Sequence, residues 1–114
     1  MIKVKEEQRI VTENNAKGDV SLFIRHLTDF DQKNPKLRTF AIASLKPNEE
    51  VPLHLHTGET EYYYILSGKG LYNDDGKLIE VGPGVITHTP SGKSHGIKNL
   101  GDEMLEFVAL IILD

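Results

Sequence analysis

The sequence predicts an all-β fold, an antiparallel sandwich or barrel, in one domain spanning residues 1–114. Three observations carry this. Helical periodicity is scarce. Short apolar or alternating runs dominate instead. Gly, Pro, Asn and Asp separate these runs at close spacing, as turns do between strands. Many short strands so punctuated suit a sandwich or a barrel.

The elements follow in order. Val20–Leu27 (VSLFIRHL) and Leu37–Leu45 (LRTFAIASL) form the first two predicted strands. Lys46-Pro47-Asn48-Glu49-Glu50 is a polar turn. Val51–His56 is a short strand, and Thr57-Gly58-Glu59-Thr60 is a turn in which Glu59 is expected to be solvated. Glu61–Leu66 (EYYYIL) is rich in the aromatic and branched residues that strands favour. Leu71-Tyr72 and Lys77–Glu80 flank Asn73-Asp74-Asp75-Gly76 as a tight hairpin. Val85–Thr89 and His95–Asn99 are strands around the loop Pro90-Ser91-Gly92-Lys93-Ser94. Met104–Leu113 closes the chain. Its core, LEFVALIIL, is apolar at both parities, whereas a strand with one wet face alternates. Two covers for its outer side are open: the N-terminal segment, or a second subunit in a homodimer.

Composition narrows the function classes. Hydrophobic residues make up 39% and charged residues 26%, an ordinary globular balance. The net charge of -4 argues against a nucleic-acid partner, which would need a basic face for phosphates. The chain has no Cys, so disulfides and thiolate metal sites are excluded. Met1–Arg9 carries four charged residues before Arg9 and no apolar run that could act as a signal peptide. Phe107–Leu113 is far too short to span a bilayer. A soluble, cytoplasmic protein without membrane contact is expected.

The chemistry sits in four residues. His54 and His56 are two apart, so on a strand both imidazoles share a face. Glu61 opens the next strand across a short turn and can return to that face. His95 starts a later strand, after a Gly- and Pro-bearing loop that can bring it back. An HxH pair alone is a weak signal, since a strand His is usually a surface or satisfied residue. Three imidazoles and a carboxylate form an N3O donor set. It suits manganese, iron, cobalt, nickel or zinc. Magnesium and calcium prefer more oxygen. One divalent ion per chain is expected, with two open positions if it is octahedral. Because imidazole ligands must be neutral, metal affinity should weaken below about pH 6.

Asn48–Gly68 resembles the first motif of the cupin superfamily: G, five residues, HxH, three or four residues, E, six residues, G. His54, His56, Glu61 and Gly68 fall in place, and Asn48 stands where the leading Gly is expected. Asn tolerates the left-handed conformation better than most residues, so the turn can survive. Gly84–Asn99 resembles the second motif: G, five residues, PxG, two residues, H, three residues, N. Gly84, Pro90, Gly92, His95 and Asn99 match each fixed position. The resemblance implies a double-stranded β-helix, the jelly-roll cupin barrel, with the metal on His54, His56, Glu61 and His95.

Other polar residues carry open assignments. Tyr63 shares the face of Glu61, which allows either cavity lining or core packing. Tyr62 and Tyr64 take the opposite parity and are expected to be structural. His88 is a candidate acid or base, against a plain wall or surface role. Arg38 is a candidate anchor for an anionic substrate, against a surface position. His26 has no assigned role. A shared fold and metal do not name a reaction. Three classes stay open. One is a metalloenzyme (a lyase or decarboxylase, a dioxygenase or an isomerase) acting on a small oxygen-rich molecule such as a carboxylate, oxo acid, dicarbonyl or sugar. The others are a small-ligand-binding module and a metal-stabilised structural dimer. The segment HLHTGETEYYYILSGKG is similar to small cupins described as oxalate-decarboxylase-like, but Val51 stands where true oxalate decarboxylases carry Arg.

Overall fold

The computed structural model describes residues 1–114 as ten strands and a short 3-10 helix, Lys5–Glu7. The strands are β1 (Ile10–Asn14), β2 (Val20–His26), β3 (Leu37–Leu45), β4 (Glu50–Leu55), β5 (Glu59–Ser67), β6 (Gly70–Asp74), β7 (Lys77–Val81), β8 (Ile86–Thr89), β9 (Ser94–Asn99) and β10 (Leu105–Leu113). They form two antiparallel sheets. One has six strands in the order β1-β2-β3-β10-β5-β8, and the other has four, β4-β9-β6-β7. The predicted all-β jelly-roll architecture is what the chain adopts.

Strand alternation decides which side chains meet between the sheets. Ala41, Ala43 and Leu45 of β3 point inward, as do Tyr63 and Ile65 of β5 and Leu105, Phe107 and Ala109 of β10; all are buried. Leu45, Ile65 and Leu105 are fully enclosed. With Tyr72, Val81 and Ile97 they close one end of the barrel as a packed core. The other end stays open as a cavity, and Leu22, Ala43, Tyr63, Phe107 and Ala109 serve both as core and as its walls.

The apolar outer row of β10 has an explanation within the sheet. Its neighbours are β3 and β5, not the N-terminal segment, which pairs as β1 with the far strand β2. Val108 lies between Ile42 and Tyr64, and Leu110 lies between Phe40 and Tyr62. These cross-strand partners leave the row half-buried. Strand β1 had no counterpart in the sequence prediction. Its residues IVTEN are mostly exposed at the sheet edge, so they lack a strong apolar alternation.

Two turns matter for position. Asn48 adopts φ 65°, the left-handed conformation, so Asn does replace the expected Gly before β4. The β6–β7 hairpin turns on Asp75-Gly76 alone, with φ 52° and 103°, a pair that suits a two-residue turn with positive φ at both positions. The predicted loop was two residues longer, because Asn73 and Asp74 continue the ladder opposite Leu78 and Lys77.

Candidate metal centre

The two sheets bring the four predicted donors together. His54 on β4 lies directly opposite His95 on β9, a cross-strand pair on the inward face. Strand β4 ends at Leu55, one residue earlier than predicted, but His56 keeps the inward parity and is buried. Glu61 comes from β5 in the other sheet, opposite Ile111 and Thr89. One donor atom from each residue lies within 4.8 Å of the others. Glu61 Oε1 is 2.9 Å from His95 Nε2, 3.0 Å from His56 Nε2 and 4.0 Å from His54 Nε2. His56 Nε2 and His95 Nε2 are 3.0 Å apart.

The partners behind the rings fix which nitrogen is free. His54 Nδ1 donates to the Pro52 carbonyl at 2.7 Å, and a carbonyl can only accept. His56 Nδ1 donates to Glu59 Oε2 at 3.0 Å. Both Nε2 atoms therefore present lone pairs. Together with Glu61 Oε1, three acceptors converge, and only His95 has a ring proton to share among them. Such a cluster calls for a cation. The spacing fits one: donors about 2.1 Å from an ion sit about 3.0 Å apart when adjacent on an octahedron and about 4.2 Å apart when opposite. The residues thus suit a divalent transition metal.

His95 is fully enclosed. Its Nδ1 lies 2.9 Å from both the Tyr72 hydroxyl and Thr89 Oγ1, which are 2.9 Å from each other. With Nε2 committed to an ion, Nδ1–H donates to this hydroxyl pair, which holds the ring by its far side. The face of His95 stacks on Tyr63, with ring centroids 4.6 Å apart.

Glu59 corrects the sequence prediction. It is not a solvated turn residue: β5 begins two residues earlier than predicted, and Glu59 is buried with the parity of Glu61. Its two oxygens divide the labour, one accepting from His56 and the other from Arg38 Nη1. Arg38 lies at the cavity mouth with most of its side chain exposed. Tyr63 lines the cavity and is also core. Burial, with Glu61 nearby, pushes its phenol well above the usual range near 10, so the group stays protonated. Tyr72 is raised in the same direction, first by burial.

His88 does not join the cluster. It sits on the outer face of β8, exposed, and stacks on Tyr62 at 5.1 Å. Its position opposite Tyr62 in the ladder sets that parity. Tyr62 and Tyr64 also face outward, as predicted. His26 lines the cavity at the end away from the core, and burial lowers its pKa. Asn99, fixed in the second motif, is structural: its amide donates to the Leu45 and Glu103 carbonyls and accepts from the Gly101 N–H. Sequence reasoning missed Glu59, Tyr72 and Thr89. Only Glu59 had a signal, its two-residue spacing from Glu61.

A two-sheet jelly roll holding a His-His-Glu-His cluster is the architecture of a cupin, and a family model described as Cupin domain matches residues 41–111; the chain belongs to that family. It is 42% identical over 106 residues to an oxalate-binding protein of Thermotoga maritima, across 93% of this chain and 86% of the relative. It is also similar to the crystal structure of a predicted oxalate decarboxylase from Thermotoga maritima. That match has 38% identity and a TM-score of 0.89, and it covers 100% of both chains. KdgF from Halomonas sp. shares the fold at 13% identity, with a TM-score of 0.76 over 100% of this chain and 94% of that one.

Proposed function

We propose that this protein holds one manganese, iron, cobalt, nickel or zinc ion on His54, His56, Glu61 and His95, and acts on a small chelating acid there as a metalloenzyme. The observation that carries this is the convergence of donor atoms: the Nδ1 atoms of His54 and His56 are tied to acceptors, so in the neutral rings both Nε2 atoms turn lone pairs toward Glu61. A 42% identical relative called an oxalate-binding protein supports the ligand class.

When bound, such an ion supplies Lewis acidity and orientation for a substrate oxygen. The chain's own residues do the rest. Glu59 holds the His56 ring in one tautomer, and Tyr72 with Thr89 holds His95. Tyr63 offers a protonated phenol to the cavity as a hydrogen-bond donor. The apolar walls lower the polarity beside the cluster, which strengthens each of these polar contacts.

A binding protein without turnover is the second reading, and one observation favours it. Tyr63 stays protonated and both oxygens of Glu59 are engaged, so no free base lies against the cluster. The outer face of the six-stranded sheet, with Phe40, Tyr64 and Ile86 exposed along it, is the proposed homodimer surface.

The test is metal content by mass spectrometry of protein purified without chelator, then oxalate titration with product analysis. About one ion per chain, lost in the His54→Ala, His56→Ala double variant, is expected. A double variant that keeps its metal overturns the assignment. Oxalate binding without any product moves the protein to the second reading.

A further inference from the structure

The cavity is larger and less polar than oxalate needs. It offers about 380 Å³ of space and is open on one side. That is room for about a dozen waters at roughly 30 Å³ each, and oxalate with its six heavy atoms takes the place of about two or three of them. Volumes from about 300 Å³ upward belong to pockets that enclose whole organic ligands. The polarity is also divided. His54, His56, Glu59 and Glu61 lie together, with Arg38 bound to Glu59, and Glu13 and His26 stand apart from them on β1 and β2. Leu22, Ile24, Val51, Phe107, Ala109 and Ile111 supply an apolar wall from both sheets.

Oxalate carries a carboxylate at each end. Both can reach one ion together as a chelate, and oxalate then leaves the apolar wall uncovered. The wall supplies one donor. The Tyr63 hydroxyl makes no hydrogen bond within the protein, yet no fully enclosed side-chain N or O atom lacks a partner, so that hydroxyl opens on the cavity. One neutral donor suits one carbonyl or carboxyl oxygen of a ligand head.

We propose that the ligand is a 2-oxo or 2-hydroxy acid bearing an apolar body of about three to six carbons, its oxygen-rich head at the four-residue cluster and Tyr63, its body against Leu22, Ile24, Val51 and Phe107. This rests on the metal-and-acid reading above and narrows it. Two polar atoms of the head meet polar groups. The body displaces water from a wall that has nothing to offer that water.

The test uses manganese(II)-loaded protein and calorimetric titration with pyruvate, 4-methyl-2-oxopentanoate and oxalate. Pyruvate and 4-methyl-2-oxopentanoate share a head and differ by three apolar carbons. The longer acid should bind at least about tenfold tighter, since each buried methylene is worth about 0.8 kcal/mol. Ile24→Trp narrows the wall at a half-buried position and should bring the two affinities within about threefold. If that variant fails to fold, the matched pair on the unaltered protein still decides. Equal affinities for pyruvate and the longer acid, or oxalate tightest of the three, overturn the apolar-body proposal while leaving the acid site standing. No binding of any of the three to metal-loaded protein overturns the acid-binding reading with it.

Discussion

Glu59 gives the sharpest test of how the cluster is held. Its Oε2 accepts from His56 Nδ1 at 3.0 Å, and its other oxygen accepts from Arg38. Glu59→Ala removes the group that fixes the His56 tautomer. The ring is then free to place its proton on Nε2, the atom aimed at the cluster. Loss of such an outer partner lowers metal affinity by about 10- to 100-fold, which is about 1.4–2.7 kcal/mol. The upper part of that range applies here because the Glu59 side chain is only 7% exposed and water cannot easily substitute. Arg38, at 59% side-chain exposure, keeps its solvation and adds little to the loss. The assay is competition against a chelator of known zinc affinity, with thermal unfolding of the metal-free variant as the control for folding. A folded Glu59→Ala protein with affinity within about threefold of the parent refutes the reasoning. Arg38→Met should weaken zinc by less than Glu59→Ala, since it leaves the His56 contact intact.

Three further outcomes follow from the geometry. Asn99→Ala orphans two carbonyls and one N–H in a buried position, and should lower stability by about 2–4 kcal/mol in urea; a loss under about 0.5 kcal/mol would show that these bonds are replaced by water. Tyr63 and Tyr72 have raised phenol pKa values, so above about pH 10 the unfolded chain releases their protons while the folded chain does not, and stability falls as pH rises. Tyr63→Phe should flatten that alkaline decline, read as the midpoint of urea unfolding between pH 9 and 11, and an unchanged slope contradicts the burial argument. Ile86→Lys places a charge on the outer face beside Tyr64, and should convert a dimer to monomer in native mass measurement; a parent protein that is already monomeric at micromolar concentration removes the dimer proposal.

Much of this was legible in the sequence because parity is a strict rule. Once Glu61 was placed on a strand, Tyr63 had to share its face and Tyr62 and Tyr64 had to take the other. Asn48 could be read through as a left-handed turn because the side chain tolerates what the backbone requires there. The same rule shows why Glu59 was misplaced. Polar Thr57 to Thr60 looks like one continuous turn, and nothing local says that pairing with the end of β10 pulls Glu59 and Thr60 into the ladder. His88 was ambiguous for a related reason. Its side depends on the register of β8 against β5, which is a long-range property. Strand β1 was invisible because its two apolar residues, Ile10 and Val11, are adjacent and are followed by polar Thr12, Glu13 and Asn14, which leaves no apolar rhythm. The Tyr72–Thr89 pair behind His95 joins β6, β8 and β9, and no spacing along the chain announces a meeting of three strands.

The division of donors between the sheets also bears on how quickly the protein could trade one ion for another. Three of the four donors, His54, His56 and His95, belong to β4, the residue after it, and β9; Glu61 alone belongs to the six-stranded sheet. An ion held by all four rivets one sheet to the other. The cluster nevertheless faces the open cavity, where the His54 side chain is 38% exposed, so a chelator can reach an ion there without the sheets parting. Loss should then quicken as chelator is added. The metal a molecule carries would follow what surrounds it, and the sheets would keep the donors placed for the next ion.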